Sequence, residues 1–154
     1  MSALTGFSHV GVQVTDLERS VAFYQRLGLT LAARWENGAE YVQRQVGYPG
    51  VNLQIAVLTI PGTEAVLELL RYEGVEGEPI DPATGNPGTG HFCLLVDDLE
   101  ALYAELRDEV DFISAPQTPT LGPNQGGRVV YLKDPDGFRV ELHQSPRTMT
   151  GELR

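Results

Sequence analysis

The chain repeats itself: Phe7-Ser8-His9-Val10-Gly11-Val12-Gln13-Val14-Thr15-Asp16-Leu17-Glu18 returns without a gap as Thr89-Gly90-His91-Phe92-Cys93-Leu94-Leu95-Val96-Asp97-Asp98-Leu99-Glu100. Equal apolar patterns settle into equal supersecondary units, so the fold is constrained to two similar modules. Each copy then closes on a strand-like run with one carboxylate, Ala65-Val66-Leu67-Glu68-Leu69-Leu70 in the first and Phe138-Arg139-Val140-Glu141-Leu142-His143 in the second. Packing explains why the apolar residues match. It does not require two imidazoles and two carboxylates at matching places, and those are the donors of a metal site.

Alternation places Val10, Val12 and Val14 on one face of a strand near 7–14, with His9, Gly11 and Gln13 on the other. Asp16 then caps a helix running to about residue 27, whose stripe is Leu17, Val21, Tyr24 and Leu27 and whose stop is Gly28. Strands near 30–36, 51–59 and 65–72 complete a βαβββ order. The second module repeats it, with a strand near 90–96, a helix from Asp97 or Asp98 to about Glu109, and strands near 111–114, 127–133 and 138–143. Asp134-Pro135-Asp136-Gly137 joins the last two as a hairpin.

These readings give a single domain of two modules, residues 5–73 and 89–145, joined by a Gly-, Pro- and acid-rich linker over 74–88. The class is α+β: each module folds as a sheet with its helix outside, and together they form a cup-shaped mixed sheet. Leu67 and Leu69 share the face opposite Glu68, and Val140 and Leu142 the face opposite Glu141. All four donors can therefore line the cup.

At 154 residues the chain can bury a true core. Eleven Lys and Arg against 21 Asp and Glu leave a formal charge of -10, which repels nucleic acid and anionic membrane surfaces. The one cysteine, Cys93, lies in an apolar run and is expected to be a small core residue; with no internal disulfide possible, a reducing cytoplasm is the expected setting. Met1 to Gly6 has neither the basic start nor the apolar stretch of a signal peptide, no run reaches membrane-spanning length, and the polar tail from Pro146 to Arg154 is expected to be loosely held.

Of three histidines, two fall on repeat-equivalent positions, each with a repeat-equivalent glutamate. His9, Glu68, His91 and Glu141 therefore form the candidate ligand set. Without a thiolate it favours a divalent Ni, Co, Zn, Mn or Fe ion. Four protein ligands on an octahedral ion leave two positions, enough for a substrate with adjacent oxygens. Gln13, Arg139 and His143 share the faces of these ligands and are candidate substrate contacts, His143 also fitting a solvent-facing strand end. Asp16, Glu18, Asp98 and Glu100 sit where helix N-termini need caps and negative charge, so they are structural. The loops 35–50 and 115–127 are long enough to close over a cup.

On His9 through Leu29 with Phe23-Tyr24 and Leu27-Gly28-Leu29, Val66-Leu67-Glu68-Leu69, Gly90-His91 before Val96-Asp97-Asp98-Leu99, and Lys133-Asp134-Pro135-Asp136-Gly137-Phe138 before Glu141-Leu142, the chain resembles the vicinal oxygen chelate superfamily over about residues 7–144. That group includes glyoxalase I, methylmalonyl-CoA epimerase, extradiol dioxygenases, fosfomycin-resistance enzymes and bleomycin-binding proteins. The resemblance implies paired βαβββ modules around a metal, with His9, Glu68, His91 and Glu141 on the ligand positions of glyoxalase I. It implies proton abstraction beside a carbonyl, an enediolate stabilised by a Lewis acid, and a ligand glutamate as base, Glu141 first and Glu68 as the alternative.

The resemblance breaks where glutathione is recognised. Gln13 and Tyr72 stand where glyoxalase I enzymes usually carry Arg and Asn, so strict glutathione dependence is not expected and another thiol adduct, CoA ester or oxygenated small molecule takes its place. Two rival readings follow from the same family: an Fe(II) extradiol-type dioxygenase using His9, His91 and Glu141, against which Glu68 counts, and a metal-free drug-binding protein, against which the complete ligand set counts. The family also implies a homodimer, with modules pairing either within one chain or across the dimer.

Overall fold

The computed structural model describes residues 3–78 and 80–146. The polar tail from Arg147 onward lies outside them. The chain divides into two compact units, Met1–Ile80 and Asp81–Arg154, each carrying one mixed sheet. Among the described residues no helix is long and apolar enough to cross a membrane.

The first unit runs β1 (His9–Gln13), α1 (Leu17–Arg26), β2 (Thr30–Asn37), α2 (Glu40–Val46), β3 (Asn52–Thr59) and β4 (Val66–Glu73). Its strand order is β1-β4-β3-β2, with β1 parallel to β4 and the other neighbours antiparallel. Asp16 starts α1 by accepting the Arg19 N–H at 3.0 Å, and Gly28, at φ 96°, lets the chain turn left-handed after the helix. The helix buries Leu17, Ser20, Val21 and Tyr24 against the sheet. Ala56 and Leu58 lie across from Leu69 and Leu67 in register, and all four are fully buried on the helix-covered face. Burying each of these leucines stabilises the unit by about 1.5–3 kcal/mol relative to leaving it exposed.

The segment expected as a loop over 35–50, long enough to close over a cup, contains α2. Glu40 and Arg44 form an i,i+4 ion pair, Gly47 ends the helix at φ 80°, and Val42 and Val46 pack into a cluster with Val51, Leu53, Ile55, Leu70 and Tyr72. Because Leu53 faces Tyr72, Ile55 faces Leu70 and Val57 faces Glu68, this cluster lies on the Glu68 side of the sheet. One helix thus covers part of the side expected to be open, and the apolar residues beneath it are the reason.

The second unit runs β5 (His91–Leu95), α3 (Leu99–Leu106), β6 (Arg128–Lys133) and β7 (Arg139–Gln144), in the order β5-β7-β6 with β5 parallel to β7. Asp98 caps α3 by accepting the Ala101 N–H at 3.0 Å, as Asp16 does in the first unit. In the hairpin, Asp134 Oδ1 accepts the N–H groups of Asp136 and Phe138, and Gly137 takes φ 86°. The α3 helix stops at Leu106 rather than near Glu109, because the Glu109 and Val110 N–H groups both turn back to the Leu106 carbonyl.

The strand expected near 111–114 is reduced to isolated bridges, Phe112 with Leu132 and Gln117 with Val129. Pro116, which has no N–H to donate, interrupts the segment. The expected linker also holds a bonded turn near its end: Asp81 Oδ1 accepts the Ala83 N–H, the Asn86 amide donates to the Asp81 carbonyl, and the Thr89 hydroxyl reaches the carbonyls of Ala83 and Asn86.

Candidate metal centre

Parallel pairing sets both His–Glu pairs in the same way. In the first unit Gly11 lies beside Glu68, so His9, two residues earlier, shares that face; its Nε2 is 3.7 Å from Glu68 Oε2. In the second unit Cys93 lies beside Glu141, and His91 Nε2 is 3.3 Å from Glu141 Oε2. Both pairs are open to solvent on one side, the side chains being 49% and 23% exposed in the first and 39% and 18% in the second.

These separations test the donor set against a metal ion. Two adjacent ligands at the usual bond lengths of about 2.0–2.2 Å stand roughly 3 Å apart. Each pair needs only a small adjustment to meet that spacing. Within either unit, no three His, Cys, Asp or Glu side chains among the described residues gather into a metal-holding group. Each unit holds one His–Glu pair.

The surroundings of the pairs differ. Ser8 Oγ lies 3.1 Å from His9 Nδ1, leaving Nε2 turned to Glu68. At the equivalent place before His91 stands Gly90, without a hydroxyl. There the hydroxyl comes from Tyr131 on β6, 3.1 Å from His91 Nε2 and donating to Glu141 Oε2 at 3.3 Å. The His91 and Tyr131 rings meet edge to face, 5.1 Å apart at 76°. Burial first, and then the Glu141 charge and hydrogen bond, push the Tyr131 hydroxyl above its ordinary pKa, so it is a protonated donor at neutral pH.

Sequence pattern did not single out Tyr131. Counting back around the 134–137 turn finds it, because Lys133 pairs with Arg139, Leu132 with Val140 and Tyr131 with Glu141.

The other expected residues fall out as follows. Gln13 ends β1 exposed beside Leu70. Tyr72 packs edge to face on Tyr48, 5.9 Å between rings, within the apolar cluster under α2. Arg139 is partly buried, and its charge helps hold the Asp81 carboxyl below its ordinary range, after the hydrogen bonds from Ala83 and Asn86. His143 corrects the solvent-facing expectation: it is 7% exposed, with Nε2 unpartnered among the described residues. It occupies the place that Leu70 fills in the first unit.

Cys93 is a second correction. It is exposed rather than in the core, because the inward position of β5 belongs to Leu94. Strand neighbours still desolvate its sulfur, and with the Glu141 charge this raises the thiol pKa to about 12, leaving it protonated and outside the donor set.

The comparisons with known proteins give the family. Residues 6–142 match the family described as the Glyoxalase/Bleomycin resistance protein/Dioxygenase superfamily. The chain is 34% identical over 139 residues to the lactoylglutathione lyase of Salmonella typhimurium, covering 87% of this chain and 88% of that protein. It is 33% identical over 143 residues to glyoxalase I of Saccharomyces cerevisiae; the match covers 88% of this chain but only 42% of the yeast protein. Among solved structures, a glyoxalase family protein from Bacillus cereus shares the fold with a TM-score of 0.81 at 18% identity, over 94% of this chain and 97% of that one. The chain belongs to the glyoxalase/bleomycin resistance protein/dioxygenase superfamily.

Proposed function

We propose that the chain is a metal-dependent lyase or isomerase of the glyoxalase I type, acting on a small substrate with adjacent oxygens and not strictly dependent on glutathione. The observation that carries this reading is the repetition of one geometry: in each unit an imidazole Nε2 faces a glutamate Oε2 across a parallel strand pair. The names of the relatives, glyoxalase I and lactoylglutathione lyase, support the reaction class.

His9, Glu68, His91 and Glu141 would hold a divalent Ni, Co, Zn, Mn or Fe ion, within one chain or across a homodimer, the two modules completing one domain. The ion, when bound, supplies Lewis-acid stabilisation of the negative charge that develops beside a carbonyl. Proton transfer falls to a carboxylate. Glu141 takes the proton from the carbon next to the carbonyl and returns it to the neighbouring carbon, with Glu68 as the alternative base.

The Glu68 side of the first unit is largely apolar, which supports a substrate other than a strict glutathione adduct. Tyr72 lies against Tyr48 and the α2 cluster, and Leu70, Ile55 and Val57 continue the apolar surface to Glu68. Gln13, Arg139 and His143 are the remaining polar groups proposed to meet substrate. The one cysteine suits a reducing cytoplasm.

Elemental analysis of purified protein, followed by assays with hemithioacetals of several thiols, acyl-CoA esters and catechols, tests the reading. Stoichiometric divalent metal with turnover of a hemithioacetal or acyl thioester is expected. Oxygen uptake with a catechol would replace it by the iron dioxygenase reading. Absence of metal, with no activity restored by Ni, Co, Zn or Mn, would replace it by a metal-free binding protein.

A further inference from the structure

We propose that Tyr131 is a positioning residue for the His91–Glu141 half of the metal centre and that it makes the two halves unequal; this rests on the metal-site reading above. The register isolates the position. Tyr131 lies across from Glu141 and Val57 lies across from Glu68, so the two residues are equivalent, and only one carries a hydroxyl. In the second unit that hydroxyl touches both donor atoms, at 3.1 Å and 3.3 Å. In the first unit no hydrogen bond reaches Glu68 from the described residues, His9 Nε2 standing 3.7 Å away, and the Ser8 hydroxyl meets the far ring nitrogen of His9.

Counting lone pairs shows what such a hydroxyl does. A carboxylate oxygen can accept one O–H and still offer a lone pair to a cation, whereas a neutral imidazole nitrogen has only one lone pair to give. The bond from Tyr131 to Glu141 Oε2 is therefore compatible with a loaded site, and its contact with His91 Nε2 is the one given up. Before loading, the two contacts hold His91 and Glu141 in the same rotamers that bring their donor atoms to 3.3 Å. The corresponding atoms of the first unit, without this tether, stand 3.7 Å apart. Hydrogen-bonded supporters of metal ligands typically contribute about 10–100-fold in metal affinity. Tyr131 supports two ligands at once.

The test uses metal-stripped full-length protein and Co2+ alone. Wild type and Tyr131→Phe are titrated by calorimetry, and the visible absorption of the Co2+-loaded proteins is recorded, with thermal unfolding as a check that the variant is folded. Tyr131→Phe is expected to bind Co2+ about 10–100-fold more weakly and to shift the Co2+ absorption bands. In metal-free protein, long-range nitrogen–proton NMR of the His91 ring is expected to show the Nε2 environment change in the variant while the His9 ring stays the same. Equal affinity and bands, or tighter binding by the variant, would overturn the role of Tyr131 and leave the metal site standing. No Co2+ uptake by wild type would overturn both.

Discussion

The two units share a common strand–helix–hairpin skeleton, β1-α1-β3-β4 in one and β5-α3-β6-β7 in the other, and differ on the face that carries the donors. On the helix-covered side their positions match in kind: Val12 with Leu94, Leu67 with Val140, Leu69 with Leu142 and Leu58 with Leu132, all buried. On the other side the matching stops almost everywhere. Gly11 is the equivalent of Cys93, Val57 of Tyr131 and Leu70 of His143, while His9 with His91 and Glu68 with Glu141 stay the same. Packing against a helix accounts for the first set. The second set varies where packing is relaxed, so packing alone does not account for the retained imidazoles and carboxylates.

The largest effect expected from this comparison is catalytic. Glu141→Gln removes the proposed base, and a loss of about 10²–10⁴-fold in turnover is expected, the usual contribution of a positioned acid–base group. Glu68→Gln removes a proposed metal ligand from the half with no tyrosine tether and should cost less. Initial rates on the best hemithioacetal or thioester substrate, with metal content measured in each variant, decide between them. Equal losses at equal metal content would mean that the two halves share the proton transfer.

Much of this was legible in the sequence because it depends on short-range periodicity. Period-2 alternation put His9 and Glu68 on the face away from Val12 and Leu67, and the repeat carried the same assignment to His91 and Glu141. Both helix caps are single-residue signals and both formed. What escaped depends on register or on tertiary cover. Tyr131 acquires its meaning only from the hairpin pairing, α2 is seven residues long and is held by Val42 and Val46 against strands far along the chain, and the 111–114 strand is cut short by Pro116. Cys93 is a different case: it lies two residues after His91, so the alternation that turns His91 outward turns Cys93 with it, and only the apolar character of its neighbours suggested the core.

Stability should not distinguish the halves at their cores. Leu69 and Leu142 are equivalent and 0% and 1% exposed, so Leu69→Ala and Leu142→Ala are each expected to cost about 2–5 kcal/mol. Denaturant unfolding monitored by circular dichroism measures both. A cost below about 1 kcal/mol at one position would show that its unit relaxes around the cavity, breaking the equivalence of the two cores.

The caps make a finer comparison. Asp16→Ala and Asp98→Ala each orphan a backbone N–H at the start of a helix, Arg19 and Ala101 respectively. About 1 kcal/mol is expected for each. Because α1 has ten residues and α3 eight, the fraying that follows should be proportionally greater in α3, and amide exchange across the two first turns would reveal it.

The smallest difference expected lies in the ion pairs that flank these caps. Glu18 pairs with Arg34 and Glu100 with Arg128, so the same helix position recruits an arginine in both units, but from β2 in one and β6 in the other. The side chains are well exposed, 74% for Glu18 and 52% for Glu100, so water screens the attraction and the gain offsets little more than the side-chain entropy lost. Glu18→Gln and Glu100→Gln are each expected to change stability by no more than about 1 kcal/mol, with the effect shrinking further in high salt. Arg128 also donates to Thr118 at 2.7 Å, which holds its guanidinium when the carboxylate is neutralised. Glu100→Gln should therefore leave Arg128 in place while Glu18→Gln frees Arg34, and comparing side-chain order of the two arginines by NMR tests that difference where the melting temperatures barely move.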